Sequence, residues 1–154
     1  HFEHVVERLR SANVRGVDFN QGLDARLLTA HHAELLATLD LYAVRLAWDD
    51  SRTEEQFRGA FDILVNAGIA PRKIRVYVLI GYNDTPGDAL YRLETVSALG
   101  AIQNPMRYQP IDTTRRNAFV GDAWTDAELK RYMRYWSRSV FFKRLGISFT
   151  NYRA

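Results

Sequence analysis

The amino-acid sequence predicts an α/β protein with a parallel sheet, built as a partial (βα) TIM-like barrel. The first observation is a pattern written four times: a short β-type run, a polar or glycine-bearing turn, then a helix. The second is the spacing of roughly 30 residues per repeat, which is the size of one βα unit. The third is that no G-x-G-x-x-G motif follows any run, which favours part of a barrel over a dinucleotide-binding sheet. The runs are Val14–Gln21, Tyr42–Asp50, Ile74–Tyr82 and Met106–Pro110.

Helical patterns flank these runs, and their ends carry specific signals. Thr53 to Gln56 and Thr125 to Glu128 have the spacing of capping boxes, in which two side chains satisfy free backbone N–H groups. Thr85-Pro86 supplies an N-cap followed by a proline in the first turn. The predicted helices are His1–Ala12, Ala30–Leu39, Thr53 to Gly68, Thr85 to Gly100, and one long C-terminal helix from Trp124 to Leu145.

Two of the runs carry expectations about their faces. Ile74–Tyr82 is almost continuously apolar, which is typical of a strand covered on both sides. Arg107 and Gln109 share one side of the fourth run. We expect this pair to face the barrel interior, with Met106 and Tyr108 facing the outer helices. The tail after the last helix is predicted to be either a short strand or an ordered terminus.

The composition indicates one globular domain that spans residues 1–154. There is no cysteine, which excludes disulfides, thiolate metal sites and a cysteine nucleophile within this chain. No apolar segment approaches the ~20 residues that span a bilayer, and no signal peptide is present, so we expect a cytoplasmic protein without a membrane partner. The formal net charge of +3 is too small to indicate a nucleic-acid partner without a clustered patch.

Polar residues follow each predicted strand, where parallel βα proteins place their chemistry. Asp49 and Asp50 suit a ribose diol, a metal or an amine, or else form a turn and an N-cap. The cluster after the first strand suits the polar edges of a ligand, or else forms a satisfied loop. The cluster after the third strand lets a ligand approach the backbone, or else forms a tight turn. These two clusters are Asn20, Gln21, Gly22, Asp24 and Arg26, and Gly81, Tyr82, Asn83 and Asp84.

The last helix is dense in aromatic and arginine residues, which leaves two interpretations open. Leu129, Tyr132, Trp136 and Val140 have the spacing of an apolar stripe, which favours core packing. Aromatic residues with arginine also bind nucleic acid. The adjacent His31 and His32 point in different directions on a helix and cannot share a metal, and we predict no metal site from them.

The end of the third run resembles a motif of radical SAM enzymes. Tyr77-x-Leu79-x-Gly81-x-x-Asp84 is similar to their Gly-x-Ile-x-Gly-x-x-Glu element, with a tyrosine replacing the first glycine and an aspartate replacing the glutamate. Three other segments resemble, in the same order, the third, fourth and sixth strand segments of an uncharacterised group in that superfamily. They are Asp18–Arg26, Arg45–Asp50 and Met106–Pro110.

This resemblance implies a partial (βα)6 barrel that binds S-adenosylmethionine and cleaves it with a 4Fe-4S cluster. The family's cysteine loop after its first strand is missing here, so the chain corresponds to the C-terminal part of the barrel. We expect it to be inactive alone, as part of an enzyme of unknown substrate. By position, the resemblance implies cofactor contacts from Asp49, Asp50, Gly81, Tyr82, Asn83, Arg107 and Gln109, and contacts to the methionine moiety or the substrate from Asn20, Gln21 and Arg26.

Two other functions stay open at this point. One is a conventional βα-barrel enzyme that binds Mg²⁺ through Asp49, Asp50 and Asp84. The other is a non-catalytic module that binds RNA through the arginines of the last helix, Arg131, Arg134 and Arg138. We also expect exposed sheet edges at the first and fourth strands, which allow pairing between copies and hence a homodimer.

Overall fold

A computed structural model describes residues 1–153 of the protein and contains one sheet of four strands. The strands are β1 (Val17–Asp18), β2 (Leu41–Ala47), β3 (Ile74–Ile80) and β4 (Ile102–Arg107). Every neighbouring pair is parallel, and the strands lie in chain order, so β1 and β4 form the two edges. The predicted α/β class and parallel sheet are confirmed, whereas the partial TIM-like barrel stays a prediction.

Six α-helices precede, connect or follow the strands. They are α1 (Phe2–Ser11), α2 (Ala30–Ala37), α3 (Glu54–Asn66), α4 (Pro86–Ala98), α5 (Asp126–Trp136) and α6 (Ser139–Arg144), with 3-10 turns at Ser51–Thr53 and Pro71–Lys73. The predicted capping box at Thr125 is present, and the N-cap at Thr85 is part of a further box closed by Asp88. Helix starts are therefore predicted well where threonine begins the first turn.

The two edge strands differ from their predicted bounds. β1 is much shorter than Val14–Gln21. It begins late because Asn13 and Gly16, between α1 and β1, adopt positive φ angles of 50° and 66°, and it ends at Asp18. β4 begins at Ile102, earlier than predicted, and it contains Pro105. A proline lacks the N–H that a central strand would need, but an edge strand accepts it on its unpaired side.

The predicted long C-terminal helix is divided into α5 and α6. The chain leaves helical geometry at Arg138, whose φ is −130°. This break places Ser139 in the core, where its hydroxyl bonds to the side chain of Gln103 on β4. Between α6 and residue 153 the tail forms turns and no strand, and Phe149 of the tail packs into the core. The ordered terminus is therefore the correct alternative.

The sheet has one covered face and one open face. On β3, Ile74, Val76, Val78 and Ile80 are fully buried and contact the core under the helices, and we call this side the covered face. Arg75, Tyr77 and Leu79 point the other way and are half-buried, and this side is the open face. The expectation that β3 is covered on both sides is wrong, because the alternate side chains Arg75, Tyr77 and Leu79 keep surface exposed to solvent.

The aromatic stripe of the last helix belongs mainly to the core. Leu129, Tyr132 and Trp136 are buried, as core packing predicts. Val140 is 52% exposed, because the break before α6 turns it away from the stripe. Arg131 donates to the main-chain oxygens of the tail at Phe149 and Tyr152, so it fastens the tail to α5.

Candidate functional site

A hydrogen-bonded network on the open face joins the first three strands. Arg45 on β2 donates to both oxygens of Asp18, at 3.0 and 2.6 Å, and to the hydroxyl of Tyr77 at 3.1 Å. The Tyr77 hydroxyl donates to the main-chain oxygen of Asn20 at 3.1 Å. The bonds from Arg45 hold the pKa of Asp18 below its usual range. The loop after β1 is thus fixed against the strand ends.

Asp49 lies two residues after the end of β2. Of the aspartates at the strand ends, it makes the fewest hydrogen bonds to other residues. Its Oδ1 accepts the backbone N–H of Leu79 at 3.2 Å, and its Oδ2 has no hydrogen-bond partner among residues 1–153. The residue keeps an exposed surface. Even so, burial raises the pKa of Asp49, and the Leu79 N–H and the charge of Arg92 only oppose that rise. A carboxylate with one free oxygen, partly removed from water, is well placed to accept hydrogen bonds from a ligand.

Asp50 has the structural role that sequence spacing predicts for Thr53. Its carboxylate accepts the backbone N–H of Arg52 at 2.9 Å and so caps the 3-10 turn before α3. The Arg52 guanidinium donates to both of its oxygens, which lowers the pKa of Asp50 to about 2. Thr53 makes no side-chain cap, and its hydroxyl donates to the main-chain oxygen of Asp50. The capping box predicted at Thr53 is therefore wrong, because a better acceptor lies one turn earlier.

The residues predicted to meet the substrate are only partly brought together. Asn20 joins the open-face network through Tyr77, and Gln21 is exposed next to it. Arg26 lies in the following turn and donates to both oxygens of Asp24, at 2.9 and 2.7 Å. This local pair lowers the pKa of Asp24 to about 2. Arg26 is exposed to solvent and keeps surface for an anionic ligand, but it is not part of the network that holds Asn20.

Asp84 stabilises the turn after β3, and both of its carboxylate oxygens accept hydrogen bonds. Oδ1 accepts the backbone N–H groups of Gly81 and Tyr82, at 2.8 and 3.2 Å, and the indole N–H of Trp124 at 3.1 Å. Oδ2 accepts from Arg92 at 2.6 Å. Arg92 is fully buried and also donates to the main-chain oxygens that end β2 and β3, at Trp48 and Leu79.

Arg92 was not among the sequence candidates, although its place on an apolar helix stripe is a recognisable signal in the sequence. It lies three residues after Ala89 and four before Val96, on the buried stripe of α4. A charged residue on an apolar stripe needs buried partners, and here those partners are the carbonyls of two strand ends and one carboxylate. Arg92 therefore positions the strand ends from the covered side.

Gly81 is a packing glycine. Its φ is +86°, and a Cβ there would lie 2.7 Å from Cδ2 of Leu129 on α5. Gly121 packs in the same way, because a Cβ on it would lie 2.8 Å from the main-chain oxygens of both Gly81 and Tyr82. The free side of Gly81 faces a helix and not the open cleft, which favours the tight turn over a ligand approach at this residue.

Three aromatic rings cluster beyond the ends of β3 and β4. Tyr82 stacks on Tyr108 with ring centroids 4.3 Å apart, and Phe119 meets Tyr108 edge-on at 4.9 Å. Tyr82 is 46% exposed, so one side of the stack remains accessible. Phe119 comes from the loop after β4 and was not a sequence candidate, because an isolated aromatic residue in a polar loop gives no pattern.

The predicted faces of β4 are reversed. Arg107 continues the covered face and donates to Asp126 on α5 and to the main-chain oxygen of Phe119, both at 2.8 Å. Met106 pairs with Leu79 across the strands and is 47% exposed on the open face. The physical reason is that Arg107 finds oxygen partners on the helix side, so its charge does not require the open face. Gln109 lies beyond the strand and is exposed.

Two clefts open at the strand ends, and Asp49 and Asp50 line both. The larger has a volume of about 720 Å³ and also includes Tyr82, Asn83 and the edge of Arg92. The smaller, of about 370 Å³, extends to Arg26 and Phe57. The larger volume lies within the range of small-molecule sites in proteins. The carboxylate of Asp49 thus stands between two spaces that a ligand could enter from the carboxyl ends of the sheet.

Metal binding receives little support from this arrangement. Within residues 1–153, no group of three or more His, Cys, Asp and Glu side chains is placed to hold a metal ion. Asp84 and Asp50 are already bonded to arginines, so they do not form the Mg²⁺ set with Asp49. The chain also contains no cysteine and therefore cannot ligate a 4Fe-4S cluster by itself.

Comparison with protein-family models, with curated proteins and with solved structures found no match. None of the helices formed by residues 1–153 is long and apolar enough to cross a membrane.

Proposed function

We propose that this chain is the S-adenosylmethionine-binding, C-terminal part of a radical SAM (βα)6 barrel, acting on an unknown substrate. The observation that carries the proposal is Asp49, a carboxylate held by the end of β3 through one oxygen and left free at the other. Its place at the carboxyl end of a parallel strand is where βα proteins bind ligands. A cytoplasmic location and the six-stranded parent barrel are parts of the same proposal.

The chemistry around Asp49 matches a nucleoside. A carboxylate oxygen accepts hydrogen bonds from a ribose diol, and the exposed face of the Tyr82–Tyr108 stack offers a flat surface for adenine. The cleft that joins them is large enough for one nucleoside with a short side chain. Asn83 lines the same cleft and supplies an amide for polar atoms of the base or the methionine moiety.

Not every predicted cofactor residue has the same place in this proposal. Asp50, Gly81 and Arg107 hold the turns and helices around the cleft, so we assign them positioning roles. The cluster chemistry of the parent needs cysteines from outside this sequence. The chain alone is therefore proposed to bind the cofactor without cleaving it.

Binding of S-adenosylmethionine to the purified chain, measured by isothermal calorimetry, tests the proposal. We expect saturable binding with one site per chain, and weaker binding by Asp49→Asn, which removes the charge but keeps the shape. Asp62→Asn is the matched control, because Asp62 is an exposed carboxylate on α3, away from the strand ends. Binding that is absent at millimolar ligand, or that both variants weaken equally, would contradict the proposal.

The free energy of unfolding provides a second, independent test of the role of Asp49. Because burial raises its pKa in the folded state, the ionised carboxylate opposes folding, and this cost appears as the pH rises through the raised pKa. Asp49→Asn is therefore expected to leave the free energy of unfolding unchanged or higher at pH 7. A variant that is clearly less stable than the wild type would show that Asp49 serves the fold.

A further inference from the structure

Charge is distributed very unevenly along the chain. Residues 129–154 contain seven lysines and arginines and no aspartate or glutamate, whereas the whole chain has 21 basic and 18 acidic residues. Residues 1–128 are therefore net acidic, with 14 basic and 18 acidic side chains. The modest overall charge conceals a basic C-terminal segment that contains most of α5, all of α6 and the tail.

Several arginines of this segment have no carboxylate partner in the described part of the chain. Lys130 pairs with Asp126, and Arg131 is used by the carbonyls of the tail. Arg134, Arg138 and Arg144 take part in none of the ion pairs formed within residues 1–153. Their charges are free to meet an anion from outside.

These arginines line two adjoining clefts, which we call the arginine groove. The clefts have volumes of about 380 and 340 Å³, and Ser137 and Arg138 line both. Arg134 borders the first cleft and Arg144 the second. The second cleft also includes the first residues of β4. The groove therefore lies near the amino ends of the strands, away from the site around Asp49.

Aromatic side chains line the groove together with the arginines. Phe142 and Tyr152 line the first cleft, and Phe141 lines the second. Phe141 is 59% exposed, and its ring meets Phe142 edge-on at 5.6 Å. A large aromatic ring exposed among unpaired cations has no role in the core. Its free face is available for stacking.

We propose that the arginine groove binds single-stranded nucleic acid. Guanidinium groups pair with successive phosphates, and exposed aromatic rings stack with bases regardless of sequence. The clefts are sized for single nucleotides, and α6 has only six residues, which is too short to serve as a recognition helix in a duplex groove. An acidic peptide would use the cations but not the exposed ring, so the combination favours nucleic acid.

Fluorescence anisotropy with labelled oligouridylate and oligothymidylate tests the charge part of this proposal. The triple variant Arg134→Gln, Arg138→Gln, Arg144→Gln is expected to bind about tenfold more weakly or worse, with a shallower salt dependence. The matched control is Arg8→Gln, Arg15→Gln, Arg72→Gln, which removes the same charge from positions outside the groove. Equal loss in both triple variants would reduce the binding to net charge and overturn the proposal.

Phe141→Leu tests the stacking part, because it removes the ring but keeps an apolar side chain. We expect it to weaken oligonucleotide binding about fivefold or more. Phosphatidylglycerol vesicles and polyglutamate serve as competing anions. If Phe141→Leu binds oligonucleotides as well as the wild type, or if either competitor displaces them at equal charge concentration, the groove is a membrane or acidic-protein contact and the proposal is wrong. Circular dichroism of each variant verifies that the fold is retained.

Discussion

The two faces of the sheet differ in burial and in chemistry, although the same strands form both. On β3, the side chains of the covered face are fully buried and aliphatic, whereas their immediate neighbours on the open face are half-buried and include an arginine and a tyrosine. The covered face supplies the hydrophobic free energy that holds the sheet. The open face is thereby free to carry polar groups toward the strand ends, with little loss of stability.

The same contrast holds for two arginines. Arg92 reaches the strand ends from the covered face and has no exposed surface, while the Arg45 side chain on the open face is 12% exposed. Both bind an aspartate and at least one other oxygen. Their surroundings differ, because Arg92 has no contact with water and its terminal nitrogens bond only to protein oxygens. The cost of removing each arginine should therefore differ strongly.

Arg92→Met is expected to have the largest effect on the free energy of unfolding, a loss of about 3–5 kcal/mol, because it leaves the partly buried Asp84 and two carbonyls without their donor. Arg45→Met should cost about 1 kcal/mol, since water reaches the carboxylate that it leaves behind. Urea unfolding followed by circular dichroism measures both. Similar losses in the two variants would mean that the faces do not differ in the way that burial indicates.

Adjacent residues on β3 give the next largest contrast. Ile80→Ala empties a fully buried position on the covered face and should destabilise the protein by about 2–5 kcal/mol. Leu79→Ala removes the same number of carbons from the half-buried open face, where water already reaches the side chain, and should cost about 1 kcal/mol. The same unfolding experiment applies. A larger loss for Leu79→Ala would indicate that a second copy of the chain covers the open face in solution.

The fold was predictable where one local rule decided the structure. Threonine caps placed α4 and α5, and the apolar run placed β3 almost to the residue. These local rules failed where residues distant in the sequence determined the structure. Ser139 follows the break in the last helix and bonds to Gln103 on β4, and the one-sided burial of β3 depends on how many strands surround it. Neither the Ser139–Gln103 bond nor the one-sided burial of β3 is indicated by the residues of its own segment.

Gly81→Ala separates backbone strain from packing at the end of β3. Both Gly81 and Gly68 have positive φ, +86° and +92°, so an alanine at either position costs about 1–2 kcal/mol in backbone strain. Only Gly81 adds a clash with Leu129, worth about a further 1–3 kcal/mol, whereas a Cβ at Gly68 meets no atom within 4 Å. Thermal unfolding of the two variants isolates the second contribution. Equal shifts would remove the packing role that we assign to Gly81.

The candidate site was predictable in outline and not in detail. The strand ends and Asp49 followed from topology, because the carboxyl ends of parallel strands share one edge. The state of each side chain did not follow, because Asp50, Asp84 and Arg26 are each bonded to a partner that sequence spacing alone does not select. Arg107 and Met106 face opposite to the prediction for a related reason, since the partners of Arg107, Asp126 and the Phe119 carbonyl, lie on the helix side.

The smallest expected effect is that of Asp18→Asn on the open face. The Arg45 bonds hold the pKa of Asp18 below 3.8 in the folded state, so the carboxylate stabilises the fold at every pH above that value. This contribution falls away as the pH drops through the lowered pKa, where the folded carboxylate takes up its proton. Asp18→Asn should therefore cost about 0.5 kcal/mol at pH 7, less at high salt, and nothing at strongly acidic pH. Unfolding measured from about pH 2 to about pH 7, against the exposed control Asp62→Asn, tests this, since those limits span the carboxyl titration range. A loss that persists unchanged at acidic pH would assign Asp18 a packing role, and the polar network would then be as dependent on shape as the covered face.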